Sequence, residues 1–246
     1  MNNTSYVALS GQTSVWRQLD VVANNIANMN TPAYRRQSAV FTSYLASTPN
    51  NDPMSTQQLA YAQDYGIATD TDQGPISATD NQFDLAIDKK GFFVVRTPDG
   101  DRYTRAGRFT LDGRGQLSTP EGYLVLSTSN APIVIAPNEL QFHVGDDGTI
   151  STENAKVGRI KVVTFDNEQT MRRSSGGLWE PPVDQQPKTV AAPRIVQGAL
   201  EGSNVNPVVE MTRMIEVQRS YTNTQGLLDA ENDRVKQVID VLSRLS

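Results

Sequence analysis

Two pairs of carboxylates are the groups in this chain whose spacing most resembles chemistry. Asp70 with Asp72, and Asp146 with Asp147, could in principle divide acid and base roles between neighbouring acids. Both pairs sit among turn-forming residues, where Asp bonds to nearby backbone and keeps a loop solvated. Asp146-Asp147-Gly148 lacks the remaining oxygen ligands of a calcium loop. Gly113-Arg114-Gly115 lacks the Lys-Ser/Thr ending and the following helix of a phosphate loop. The one histidine, His143, alternates with Phe142 and Val144, which suits a place on a strand. It could act as a base but cannot build a multi-histidine metal site. With no Cys there is no thiol nucleophile, thiolate metal site or disulfide framework. No serine has the G-x-S-x-G setting of a hydrolase elbow. Tyr6, Trp16 and Tyr221 could stack on a ligand, but at helical spacing they read as packing anchors. No catalytic constellation emerges, and no cofactor or metal is implied.

Composition points the same way. The 246 residues hold 22 Lys+Arg against 27 Asp+Glu, a net charge of −5, which argues against a nucleic-acid binder needing a basic face. No stretch approaches the ~18–20 apolar residues of a membrane helix. The N-terminus does not read as a secretory signal, because its first basic residue is Arg17 and polar residues interrupt positions 10–14. Counted with Gly in and Tyr out, the apolar share is roughly 41%, below the ~45–50% usual for soluble domains. Part of the chain is therefore expected to bury itself only with help.

The elements that would carry such burial are two long helices flanking a β-rich middle. Val15, Leu19, Val22, Ile26 and Met29 are spaced 4, 3, 4, 3, an apolar seam on a helix covering residues 1–30. Trp16 sits beside the seam, and Pro32 closes the run. The C-terminal helix is expected over 204–246, with Asn206 as a cap and Pro207 in the first turn. Met214, Tyr221, Leu228, Val235 and Leu242 recur there every seven residues, with Met211 and Ile239 among the partner positions. Gln218, Gln225 and Asn232 make that second row partly polar. Residues 31–80 read as an extended connector and 81–197 as the β-rich domain. Strands are expected at 83–87, 92–95, 108–111, 123–126, 132–135, 140–144 and 159–165, with turns at Asp99-Gly100, Asp112-Gly113 and Asp147-Gly148. Residues 180–194 are a further connector. The fold class is α+β: terminal helices forming a coiled-coil-like domain, and an antiparallel sandwich or barrel-like middle. Two polar-laced seams separated by a whole domain predict ends that gain order from neighbouring chains. A β-domain binding module on a helical stalk fits the same elements.

The stretch Ala23-Asn24-Asn25-Ile26-Ala27-Asn28-Met29-Asn30-Thr31-Pro32-Ala33-Tyr34-Arg35 carries more than periodicity. Asn24 and Asn28, four apart, share a helix face and can bond to each other or to neighbouring backbone. The stretch resembles the N-terminal signature of the bacterial flagellar axial family, the rod and hook proteins, A-N-N-x-A-N-x-x-T-x-G-Y/F-K/R. It departs at Ala33, where the family commonly has Gly, and Ala resists a positive φ. Blocks at 72–76, 83–95 and 103–109 resemble the entry to the family's β domain. Gly198 through Pro207, with Ser203 and Asn204, then Gln218 and Arg219, resembles its C-terminal signature. The phrase from Leu200 to Ile215 is more similar to proximal-rod than to distal-rod members.

That resemblance implies a structural rod subunit that assembles with other rod proteins and copies of itself in a helical axial assembly. It implies passage through the flagellar type III export apparatus without a cleaved signal, and a place in the periplasm-spanning basal body. Residues expected to meet neighbours are Val15, Trp16, Leu19, Val22, Ile26, Met211, Met214, Tyr221, Leu228, Val235, Ile239 and Leu242. Arg17, Arg213 and Arg219 are expected to flank the seams in charge pairs.

Overall fold

The structure, a computed structural model, describes residues 3–48, 57–136 and 142–245. The chain divides into two compact units. One comprises residues 1–27, 37–69 and 206–246; the other comprises 28–36 and 70–205.

The first unit contains α1 (Asn3–Ala27), the strands β1 (Gln37–Thr48) and β2 (Gln57–Thr69), and α2 (Pro207–Leu245). α1 packs against α2 and against both strands. The start of α2 follows from its sequence. Asn206 Oδ1 accepts the N–H groups of Val208 and Val209 at 3.1 and 3.3 Å, and Pro207 occupies the first turn, where its missing N–H costs nothing. At 39 residues α2 is about 58 Å long.

The hairpin corrects the expectation of a connector over 31–80. β1 and β2 pair antiparallel from Gln37↔Thr69 to Thr48↔Gln57, with a bulge between Val40 and Phe41. Residues 49–56, which hold Pro49, Asn50, Asn51, Asp52 and Pro53, lie outside the described residues. Those turn formers dominate the local composition and mask the β-prone Val40, Phe41, Thr42, Tyr44, Tyr61 and Ile67 on either side. The bulge leaves the Tyr65 side chain 79% exposed.

The second unit is a β body. Phe92–Thr97 lies inside its largest sheet, paired antiparallel with Gly100–Thr104, Leu124–Val125 and Val162–Thr164. The run Phe92-Phe93-Val94-Val95 is apolar without alternation because both faces are covered. Phe93 and Val95 join a cluster with Leu85, Phe109, Leu117 and Ile150. Phe92 and Val94 join another with Tyr103, Leu126, Phe165 and Trp179. Gly107 is required here: a Cβ would lie 1.7 Å from the Leu85 carbonyl oxygen.

Among the described residues the sheet does not close into a barrel. The expected strand at 132–135 is reduced to single bridges, Leu126↔Pro132 and Gln116↔Val134. The run at 159–165 divides between two pairings, Lys156–Arg159 and Val162–Thr164. The strand expected at 140–144 spans Phe142–Val144 in the described part. Within 180–194, Glu180 ends the strand Leu178–Glu180, and Lys188–Thr189 pairs with Val163–Thr164. The body reaches beyond 81–197, because Ala199–Glu201 pairs with Ile76–Ala78.

Candidate assembly interface

The family signature residues build two buried clasps, one in each unit. In the helix unit the central group is Asn25, which is fully buried. Its amide copies the bonding of a strand neighbour: Nδ2 donates to the Gln37 carbonyl at 2.8 Å and Oδ1 accepts the Gln37 N–H at 2.9 Å. The same Nδ2 donates to Glu210 Oε2 at 3.1 Å. Glu210 is also buried, and its other oxygen accepts from Arg213 Nη1 at 3.0 Å. One Asn therefore fastens the last turn of α1 to the first residue of β1 and the first turn of α2. Asn24, singled out in the sequence with Asn28 for a shared face, is exposed, and the buried member of the trio is Asn25. Glu210 could not be found by spacing, since it lies 185 residues from Asn25. Its only local signal, an acid in the first helical turn, reads equally as a dipole partner.

In the β body the corresponding group is Glu201, 1% exposed and placed between two arginines. Arg35 Nη2 approaches it at 2.8 Å and Arg105 Nη2 at 2.7 Å. Arg105 also donates to the carbonyls of Gly91, Lys89 and Ile87, and Arg35 donates to that of Asp72. The Gly74 N–H donates to Glu201 Oε1 at 3.2 Å, and a side chain at Gly74 would strike the Gly202 carbonyl. Burial pulls the Arg35 guanidinium below its ordinary value; Glu201 opposes that shift and Arg105 adds to it.

Neighbouring signature residues extend the clasp. Tyr34 is buried with Arg173 stacked 4.4 Å from its ring centre. Asn204 accepts the Arg36 N–H at 2.6 Å and donates to the Asp72 and Asp70 carbonyls. Ser203 caps Val205, and Thr31 bonds to Asn28. Ala33 holds φ +56° while its N–H donates to the Glu201 carbonyl at 2.8 Å. The turn thus keeps the left-handed conformation that favours glycine.

The apolar residues behave differently. Val22 is buried, whereas Val15, Leu19, Ile26, Met214, Tyr221 and Leu228 are only half-buried. Trp16, Met211 and Val235 remain 57%, 49% and 42% exposed. Trp16 and Tyr221 do meet, ring centres 6.1 Å apart. The side chains of Ile239 and Leu242 lie outside the described residues, as does that of Tyr6. Gln218 and Arg219 are exposed and border a shallow depression with Ile215 and Thr222. Of the charges expected beside the seams, Arg17 approaches Asp64 of β2 at 3.4 Å and Arg213 pairs with Glu210.

The carboxylates weighed for chemistry serve turns. Asp70 accepts the Asp72 N–H at 3.0 Å. Asp147 is held below the usual carboxylate range by bonds from the Thr149 N–H and hydroxyl, with Arg159 adding to them. His143 is exposed on its strand.

Three regions of the chain match family models. Residues 6–35 match one described as flagella basal body rod protein, and 86–152 match the flagellar hook protein FlgE/F/G D1 domain. Residues 196–241 match the flagellar basal body rod FlgEFG protein C-terminal model. The chain is 36% identical to the flagellar basal-body rod protein FlgF of Caulobacter vibrioides over 246 residues, 100% of both chains. It is 36% identical to FlgF of Mesorhizobium japonicum, covering 93% of this chain and 92% of the relative. Against flagellar basal-body rod protein FlgG of Bacillus subtilis, identity is 28%, covering 98% and 99%.

Proposed function

The chain belongs to the flagellar basal-body rod protein family, and from that premise we propose how its two units divide the work of a rod subunit. It is a structural subunit of the rod in the flagellar basal body, a family that is not a class of enzymes. The helix unit supplies the assembly surface. The observation that carries this reading is the set of large apolar side chains left open on α1 and α2, Trp16, Met211, Ile215 and Val235 among them, although the start of α2 is firmly tied by Asn25 and Glu210. A surface of that kind gains stability when a neighbouring chain covers it.

In the rod, those seams pack on the seams of other axial proteins and of further copies of this chain, in a coiled-coil-like inner layer. An axial assembly that continues along its length needs heterologous contacts, so each chain offers one face to a different face of the next. The position is the proximal rod, and torque passes through many small interlocking contacts rather than one hinge. Export proceeds through the flagellar type III apparatus, which suits helices that complete their burial only after arrival.

Leu228→Asp tests the helix role. It is half-buried on the α2 heptad and lies in the unit separate from the β body. Expected is loss of incorporation into detergent-extracted basal bodies, with the β-body melting transition unchanged. Normal incorporation of the variant would sink the reading.

A further inference from the structure

The β body carries a concavity of about 800 Å³ whose lining contains four cations, Arg35, Arg105, Lys89 and Lys90, against two carboxylates, Asp72 and Glu168. The arginines are already committed. Both pair with Glu201 and donate to backbone carbonyls, so with Asp72, Glu168 and Glu201 set against the four cations the hollow keeps one net positive charge. The lysines stand otherwise. Both side chains are exposed, and among the described residues neither ammonium forms an ion pair, though several other surface cations do. A positive hollow in a chain of net charge −5 runs against the overall balance, so general solubility does not account for it.

The size of the hollow narrows the occupant. Concavities of roughly 300–1,000 Å³ enclose a whole small ligand or a short peptide stretch. A single inorganic anion would fill only a small part of it. A chain segment bearing one or two carboxylates fits both its volume and its charge. The rod-subunit reading, on which this step rests, supplies such segments at high local concentration, since a neighbouring copy carries the same acidic excess. We propose that this hollow receives a carboxylate-bearing segment of an adjoining axial subunit, with Lys89 and Lys90 as the clamping cations. Contacts of this kind fix register and exclude wrong partners more than they add raw affinity. They would set how neighbouring β bodies are aligned, separately from the helix seams.

The test uses the full chain in cells that lack their own copy. A benzophenone photo-cross-linking side chain is placed at position 192, where the exposed Ala192 lines the same hollow without belonging to the clamp, and a second strain carries it at position 16 on α1. Illumination of assembled basal bodies should give an adduct from position 192 to an axial subunit, mapping to a peptide that contains Asp or Glu. The double variant Lys89→Glu/Lys90→Glu should incorporate roughly tenfold less efficiently, the effect of about 1.4 kcal/mol lost at one contact. Its melting should match that of the parent, and a Lys in place of the mapped acid in the partner should restore incorporation. An adduct from position 16 but none from position 192 would overturn the clamp while leaving the rod reading intact. Adducts from neither position would overturn both. Reduced incorporation of the double variant without any protein adduct at 192 would replace the peptide segment with a small anion and so also contradict the proposal.

Discussion

In the β body, Phe92, Phe93, Val94 and Val95 are buried on both sides of one strand, and every neighbour they need comes from the same chain. Along α2, Met211, Ile215 and Val235 stay open to solvent although the helix runs for 39 residues. Each unit has one buried polar clasp, Glu201 in the first case and Asn25 with Glu210 in the second. The difference lies in the apolar burial around the clasp. A unit that completes its core alone can be a rigid body, and a unit that buries only part of its apolar surface keeps the remainder for partners.

The largest effect should come from the β-body clasp. Glu201→Ala leaves Arg35 and Arg105 buried without their carboxylate and removes the acceptor for Gly74, a loss of about 3–5 kcal/mol. Thermal melting should show the body transition collapse toward low temperature. A shift of only a degree or two would mean that the arginines find other partners. Asn25→Ala should cost less, about 2 kcal/mol, by removing three hydrogen bonds from a buried site. Its mark is local: amide exchange at Gln37 should speed up while exchange in Phe92–Thr97 stays as before. Uniform acceleration in both units would erase the distinction between the clasps. Ala33→Gly should act in the opposite direction and least of all. Relief of the left-handed strain at φ +56° should raise stability by about 0.5–1 kcal/mol, partly offset by the freer unfolded chain. A lower melting temperature would show that the buried methyl matters more than the turn.

How much was legible in the sequence follows from the range of each interaction. α2 could be bounded closely because its start is written in adjacent residues, Asn206 and Pro207, and its seam repeats every seven. The central strand was legible as an unbroken apolar run. The hairpin was not, because its apolar residues do not alternate cleanly, Val40, Tyr44, Tyr65 and Ile67 being exposed, and the Pro- and Asn-rich sequence of 49–56 dominates the local composition. Among the signature residues, Asn25 and Arg35 stood out by motif, yet their partners Glu210 and Glu201 lie 185 and 166 residues away and nothing local pairs them. Seam spacing identified which residues share a helix face. It did not tell Val22, which is buried, from Trp16 six residues earlier, which is largely open.

The central claim is that the β body is complete within the chain while the helices are completed by neighbours. The most direct measurement follows a chain reduced to residues 28–205 through two assays, melting in solution and incorporation into basal bodies. The account predicts a cooperative melting transition close to that of the body in the full chain, together with no entry into rods. A reduced chain that fails to melt cooperatively, or one that enters rods normally, would contradict it.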